Sequence, residues 1–126
     1  MDAKEYARRV ATRCKGFESI WLIGSRANGS ARADSDWDLL AFGDPAVLAC
    51  LRAASDLHDS NVDFLVVTNG EDFESAWGSK KKTGSLSQWD WNASADEAHY
   101  TGTKWVENDE EGRVDSNPCK GVRVWP

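Results

Sequence analysis

Two aspartates separated by one residue, Asp36 and Asp38, stand at the head of the apolar run Leu39-Leu40-Ala41-Phe42. In an extended strand, residues two apart point to the same face, so these carboxylates are expected side by side. Like charges that close repel unless a cation neutralises them. Hard oxygen donors of this kind suit Mg²⁺, which is held by a few carboxylates together with substrate phosphates. Upstream, the apolar run Ile20-Trp21-Leu22-Ile23 ends abruptly at Gly24-Ser25. A glycine lets a phosphate approach the backbone, a serine hydroxyl can donate to it, and N–H groups at a helix start favour an anion. Further along, Asp63 interrupts Val62-Asp63-Phe64-Leu65-Val66-Val67. A carboxylate within so apolar a run is costly unless it is paired, hydrogen-bonded or metal-bound, which makes Asp63 a third candidate ligand.

These residues carry a family resemblance. Gly24-Ser25, ten intervening residues and then Asp36-x-Asp38 resemble the G-S-x10-D-x-D signature of the DNA polymerase beta-like nucleotidyltransferase superfamily. The stretch GSRANGSARADSDWDLL is most similar to the minimal nucleotidyltransferases of bacterial toxin–antitoxin pairs. The resemblance covers roughly residues 17–70 and leaves the last 50 or so without a counterpart.

The resemblance implies an enzyme that moves an NMP, AMP in the first instance, from an NTP to a hydroxyl and releases pyrophosphate. Asp36, Asp38 and Asp63 would be its catalytic carboxylates and the ligands of one or two Mg²⁺. Gly24 and Ser25 would grip the β- and γ-phosphates. Arg26 and Arg32 flank the expected triphosphate position, and Ser35 is placed to orient a carboxylate through its hydroxyl. The implied protein partner is a toxin of the HEPN ribonuclease kind, neutralised by binding and by AMP transfer.

The elements that must position these groups follow from periodicity. The chain has 126 residues, enough for one domain over 1–126, with a core over about 1–70 and a divergent, tryptophan-rich part over about 71–126. Asp2-Ala3-Lys4-Glu5 reads as a capping box. Ala3, Tyr6, Ala7, Val10, Ala11 and Cys14 then form the apolar stripe of a helix stopping at Gly16. Strands are expected near 19–23, 36–42 and 62–68. A short helical turn from Ser25 and a helix opening at Asp44-Pro45, with the stripe Val47, Leu48, Leu51, Ala54 and Leu57, lie between them. Trp37, between the two aspartates, must point to the opposite face and anchor the core. The fold class is therefore mixed α/β (α+β): a small twisted mixed sheet with helices packed on one face.

From Gly70 onward there is one leucine, Leu86, and no isoleucine, while five of the seven tryptophans fall there. That half must anchor itself on Trp77, Trp89, Trp91, Trp105 and Trp125. Lys80-Lys81-Lys82 with Thr83-Gly84 reads as an exposed loop. Thr103–Val106 and Gly121–Trp125 alternate like short strands, which either extend the central sheet or form a ribbon beside it. His99-Tyr100 has no neighbouring ligand pattern.

A net charge of −6 argues against a protein that wraps duplex nucleic acid, without excluding a nucleotide brought with Mg²⁺. No apolar stretch reaches membrane-spanning length, and the N-terminus lacks the apolar segment of a signal peptide. Three cysteines, Cys14, Cys50 and Cys119, are odd in number and lack C-x-x-C spacing, so free thiols and a cytoplasmic setting are expected. Two other function classes stay open: a non-catalytic, antitoxin-like module whose tryptophans bind a partner, and an aminoglycoside-type enzyme acting on a small cationic acceptor.

Overall fold

The computed structural model describes residues 1–29, 31–77, 83–105 and 114–126, with backbone alone for 102–105 and 114–117. Helix α1 (Ala3–Arg13) opens as the sequence dictates, with the Asp2 side chain accepting from Glu5 N–H. Its stripe, Tyr6, Ala7, Val10 and Ala11, is buried. Strand β1 (Phe17–Ile23) leads through Gly24 into the four-residue helix α2 (Ser25–Asn28). Strand β2 (Trp37–Gly43), helix α3 (Ala46–Ala53), a 3₁₀ turn (Ser55–Leu57) and strand β3 (Val62–Val67) complete the first half. Asp44 caps α3 by accepting from Ala46 N–H at 2.9 Å.

The second half adds five strands: β4 (Asp72–Ser75), β5 (Thr83–Ser85), β6 (Asn92–Ala93), β7 (Glu97–Trp105) and β8 (Val114–Trp125). All eight form one mixed sheet in the order β5-β4-β3-β2-β1-β8-β7-β6. Among the described residues β2 and β3 are the one parallel pair, and their crossover carries α3. The β7–β8 hairpin pairs along β1, so the C-terminal strands extend the central sheet. Short β4 and β5 escaped the sequence reading because neither has enough alternation to stand out. Gly84 on β5 is needed for close approach: a β-carbon there would meet the Phe73 ring at 2.4 Å.

The two faces of the sheet carry two cores. On one, α1 and α3 cover Ile20, Leu39, Ala41, Phe64 and Val66, with Trp37 packed at the margin. On the other lie Trp21, Ile23, Leu40, Leu65 and Val67, roofed by Phe73, Leu86, Tyr100, Trp89 and Trp91. Trp89 and Trp91 thus replace the missing aliphatic residues. Trp77 closes the helical face by donating its Nε1–H to Leu51 C=O at 2.7 Å, and Trp125 packs there too. Lys80-Lys81-Lys82 and the Trp105 side chain lie outside the described residues.

One expectation is corrected. Cys14 and Cys50 are joined in a disulfide, with Cα atoms 5.7 Å apart, and Cys119 stands outside it. The odd count concealed a pair because the partners, 36 residues apart, sit at the C-cap of α1 and on α3. No helix among the described residues is long and apolar enough to cross a membrane.

Candidate active site

The site is assembled where β1 ends and β2 and β3 begin. β1 runs antiparallel to β2, so its last residue, Ile23, pairs with Asp38 and delivers Gly24 beside that carboxylate. β3 runs parallel to β2 with Asp63 directly opposite Asp38. Alternation then places Asp38 and Asp63 on one face, shared with Leu40, Leu65 and Val67. Both aspartates are half-buried. Asp36 lies just ahead of β2 and is exposed.

Gly24 adopts φ 72°, ψ −157°, a region open essentially to glycine alone. A β-carbon on it would sit 2.3 Å from Asp38 Oδ2. The glycine is therefore required twice, once by its backbone angles and once by the carboxylate that occupies its missing side-chain space. Gly24 C=O accepts from Ala27 and Asn28 N–H, which winds α2 immediately behind the turn and puts Ser25 at its start.

The remaining candidates stabilise the connector. Arg26 donates through Nη2 to Ala33 C=O at 3.2 Å and to Ser35 C=O at 2.8 Å. Its guanidinium lies over the Trp37 ring, 4.4 Å from the centroid. The Arg26 Nε–H is buried with no partner among the described residues. Ser35 Oγ accepts from Arg32 N–H at 2.8 Å and closes the 32–35 turn, so its hydroxyl contact runs to the loop backbone. Arg32 itself is exposed.

Two residues that sequence reasoning passed over reach the same turn from the hairpin. Tyr100 Oη accepts from Gly24 N–H at 2.8 Å, and Asn28 Oδ1 accepts from Lys120 N–H at 2.7 Å. Burial pushes the Tyr100 hydroxyl up to about 12, opposed by the Gly24 bond and reinforced by Cys119 and by the Asp38 charge. Nothing in the local sequence could have found this contact, because 76 residues separate the partners.

Asp36, Asp38 and Asp63 offer only hard carboxylate oxygens, two of them in register on one sheet face. That donor set fits Mg²⁺. Among the described residues no three such side chains already converge closely enough to hold an ion. On the opposite face, a cleft of about 540 Å³ along α1 is lined by Arg8, Arg9 and Arg13. Arg8 pairs with Glu5, Arg13 pairs with Asp56, and Arg9 lies over Tyr6, so this cleft reads as a solvated helix face.

The fold thus brings the Gly24 turn beside Asp38, and Asp38 beside Asp63. The family model for the nucleotidyltransferase domain matches residues 4–113. The chain belongs to that family. The match extends past residue 70 into the tryptophan-rich part. A crystal structure of a candidate nucleotidyltransferase from Sulfolobus solfataricus is similar at 29% identity and a TM-score of 0.44. The match covers 54% of this chain and 65% of that one, just under two thirds of its length. None of the curated proteins compared with the chain matches it.

Proposed function

We propose that this nucleotidyltransferase-family protein is an active, Mg²⁺-dependent enzyme that transfers an NMP from an NTP, ATP in the first instance, to a hydroxyl group. The observation that carries the reading is the registered pair Asp38–Asp63, with Gly24 packed against the Asp38 carboxylate. Asp36, Asp38 and Asp63 would hold the metal. Bound Mg²⁺ would polarise the reacting phosphate and neutralise the charge gathering on the leaving pyrophosphate.

The protein's own groups then have distinct tasks. Gly24 and Ser25 receive the β- and γ-phosphates, the glycine by close backbone approach and the serine through its hydroxyl. Arg26 and Ser35 shape the nucleotide side of the connector, Arg26 adding positive charge. Asp63 positions the acceptor hydroxyl and takes up its proton. The acceptor oxygen forms a bond to the α-phosphorus as the α–β bridging P–O bond breaks. Its electron pair leaves with pyrophosphate, and the NMP remains as an ester on the acceptor.

For the acceptor we favour a hydroxyl on a partner protein. Within this reading, similarity to the minimal nucleotidyltransferases supports a HEPN-type toxin as that partner, in a cytoplasmic setting where NTP is available. An aminoglycoside-type small-molecule acceptor is the competing outcome. The non-catalytic binding module draws less support, because Trp77, Trp89 and Trp91 pack inward on the two cores.

Incubation with labelled ATP, Mg²⁺ and candidate acceptors tests the reading, with Asp63→Asn as the control. Label transferred by the wild type and lost in the variant is expected. Equal transfer by both would remove Asp63 from the mechanism. Binding of a partner without any transfer would favour the binding module.

A further inference from the structure

The hairpin β7–β8 is far from the signature in sequence, yet it touches the Gly24–Asn28 segment at both ends. At one end Tyr100 Oη accepts from Gly24 N–H at 2.8 Å. At the other, Lys120 N–H donates to Asn28 Oδ1 at 2.7 Å. Tyr100 stands next to Lys120 in the hairpin ladder, since it pairs with Cys119. The two bonds therefore come from one short stretch of sheet.

The tyrosine ring is not free to choose another position. It is 8% exposed, stacked on Trp89 with centroids 5.3 Å apart and inclined on Trp91 at 5.7 Å. Such a ring presents its hydroxyl at one fixed point. That point is the amide of a glycine whose backbone angles only glycine tolerates and whose missing side chain makes room for Asp38 Oδ2. A small rotation at Gly24 would move Ser25 relative to that carboxylate. The Tyr100 bond opposes such a rotation.

Resting on the nucleotidyl-transfer reading, we propose that Tyr100 is a positioning residue: its hydroxyl holds the Gly24-Ser25 turn at the height of Asp38 so that phosphate and carboxylate sites keep a fixed relation. The Lys120–Asn28 bond is the second tether. Tyr100 touches neither nucleotide nor acceptor in this scheme; it acts through the Gly24 amide. With that N–H committed to Tyr100, Gly24 offers the phosphates close approach alone, and the hydrogen bond to them comes from the Ser25 hydroxyl. This also gives the tryptophan-rich region a task at the site, because Trp89 and Trp91 orient Tyr100.

Tyr100→Phe tests this, since it keeps the ring and its stacking but deletes the acceptor. In the full-length protein, exchange of the Gly24 amide hydrogen should rise about three- to tenfold, the worth of one hydrogen bond. Amides in α1, such as that of Val10, should be unaffected. Affinity for MgATP should fall by a similar factor. Asn28→Ala should weaken MgATP binding in the same sense, and Asn28→Asp, which keeps an acceptor oxygen, should restore most of it. Unchanged Gly24 exchange in Tyr100→Phe would overturn the tether. Faster exchange with wild-type MgATP affinity would overturn the positioning role and leave the nucleotidyl-transfer reading intact. Failure of the wild type itself to bind MgATP would sink that reading and this inference with it.

Discussion

Asp38 and Asp63 are direct partners across the parallel strands β2 and β3, on the sheet face whose core holds Leu40, Leu65 and Val67. Placing two carboxylates side by side at the mouth of a hydrophobic layer is unfavourable without a cation or hydrogen-bond donors to compensate. On the proposed reading, that arrangement serves nucleotidyl transfer. Asp63→Asn should therefore lower transfer activity by orders of magnitude while leaving the metal-free protein folded. Thermal unfolding in chelator, set beside labelled transfer, measures both. A large loss of stability in chelator would show that Asp63 is mainly structural.

Gly24→Ala should damage the site more than the fold. The backbone angles cost about 1–3 kcal/mol for a residue with a side chain, and the new methyl would press on Asp38 Oδ2. MgATP binding should fall at least tenfold, with a circular dichroism spectrum like the wild type's. Wild-type affinity in Gly24→Ala would contradict the packing of this turn on Asp38.

The Cys14–Cys50 bond closes a separation of 36 residues and joins the two elements of the helical face. By the chain-entropy estimate such a closure is worth up to about 4 kcal/mol. Reductant, or Cys50→Ser, should lower the urea midpoint accordingly. An unchanged midpoint would contradict the pairing.

Two buried tyrosine hydroxyls give a pH signature. Burial is the main cause raising Tyr6, and likewise Tyr100, from 10.0 to about 12. Because the folded values lie above the unfolded one, their contribution is complete below pH 10 and is lost as pH rises from there towards 12. Stability should fall across that window, and less steeply in Tyr100→Phe. Equal slopes for variant and wild type would contradict the burial of Tyr100.

Trp91 meets Trp21, Phe42 and Tyr100 with ring centroids 5.7 to 5.9 Å apart. Trp91→Ala should destabilise the protein by about 3 kcal/mol. A variant of unchanged stability that lost only a protein partner would instead restore the tryptophans as interface anchors.

Legibility in the sequence followed range. Helix α1, the strand around Leu40 and the strand around Phe64 were readable because their apolar spacing is local and their caps, Asp2 and Asp44, sit beside them. The Gly24–Asp38 relation was readable as a motif, and Trp37 turned inward as alternation requires. Four-residue β4 and three-residue β5 were too short to show a period. The Cys14–Cys50 bond and the Tyr100–Gly24 contact were hidden for another reason: both depend on how distant elements pack, and no spacing rule encodes that.

The most direct test is calorimetric titration of MgATP into the wild type and into Asp38→Asn. The account predicts Mg²⁺-dependent binding by the wild type, abolished by the substitution while the protein stays folded. Binding of equal strength in both, or none by a folded wild type, would contradict it.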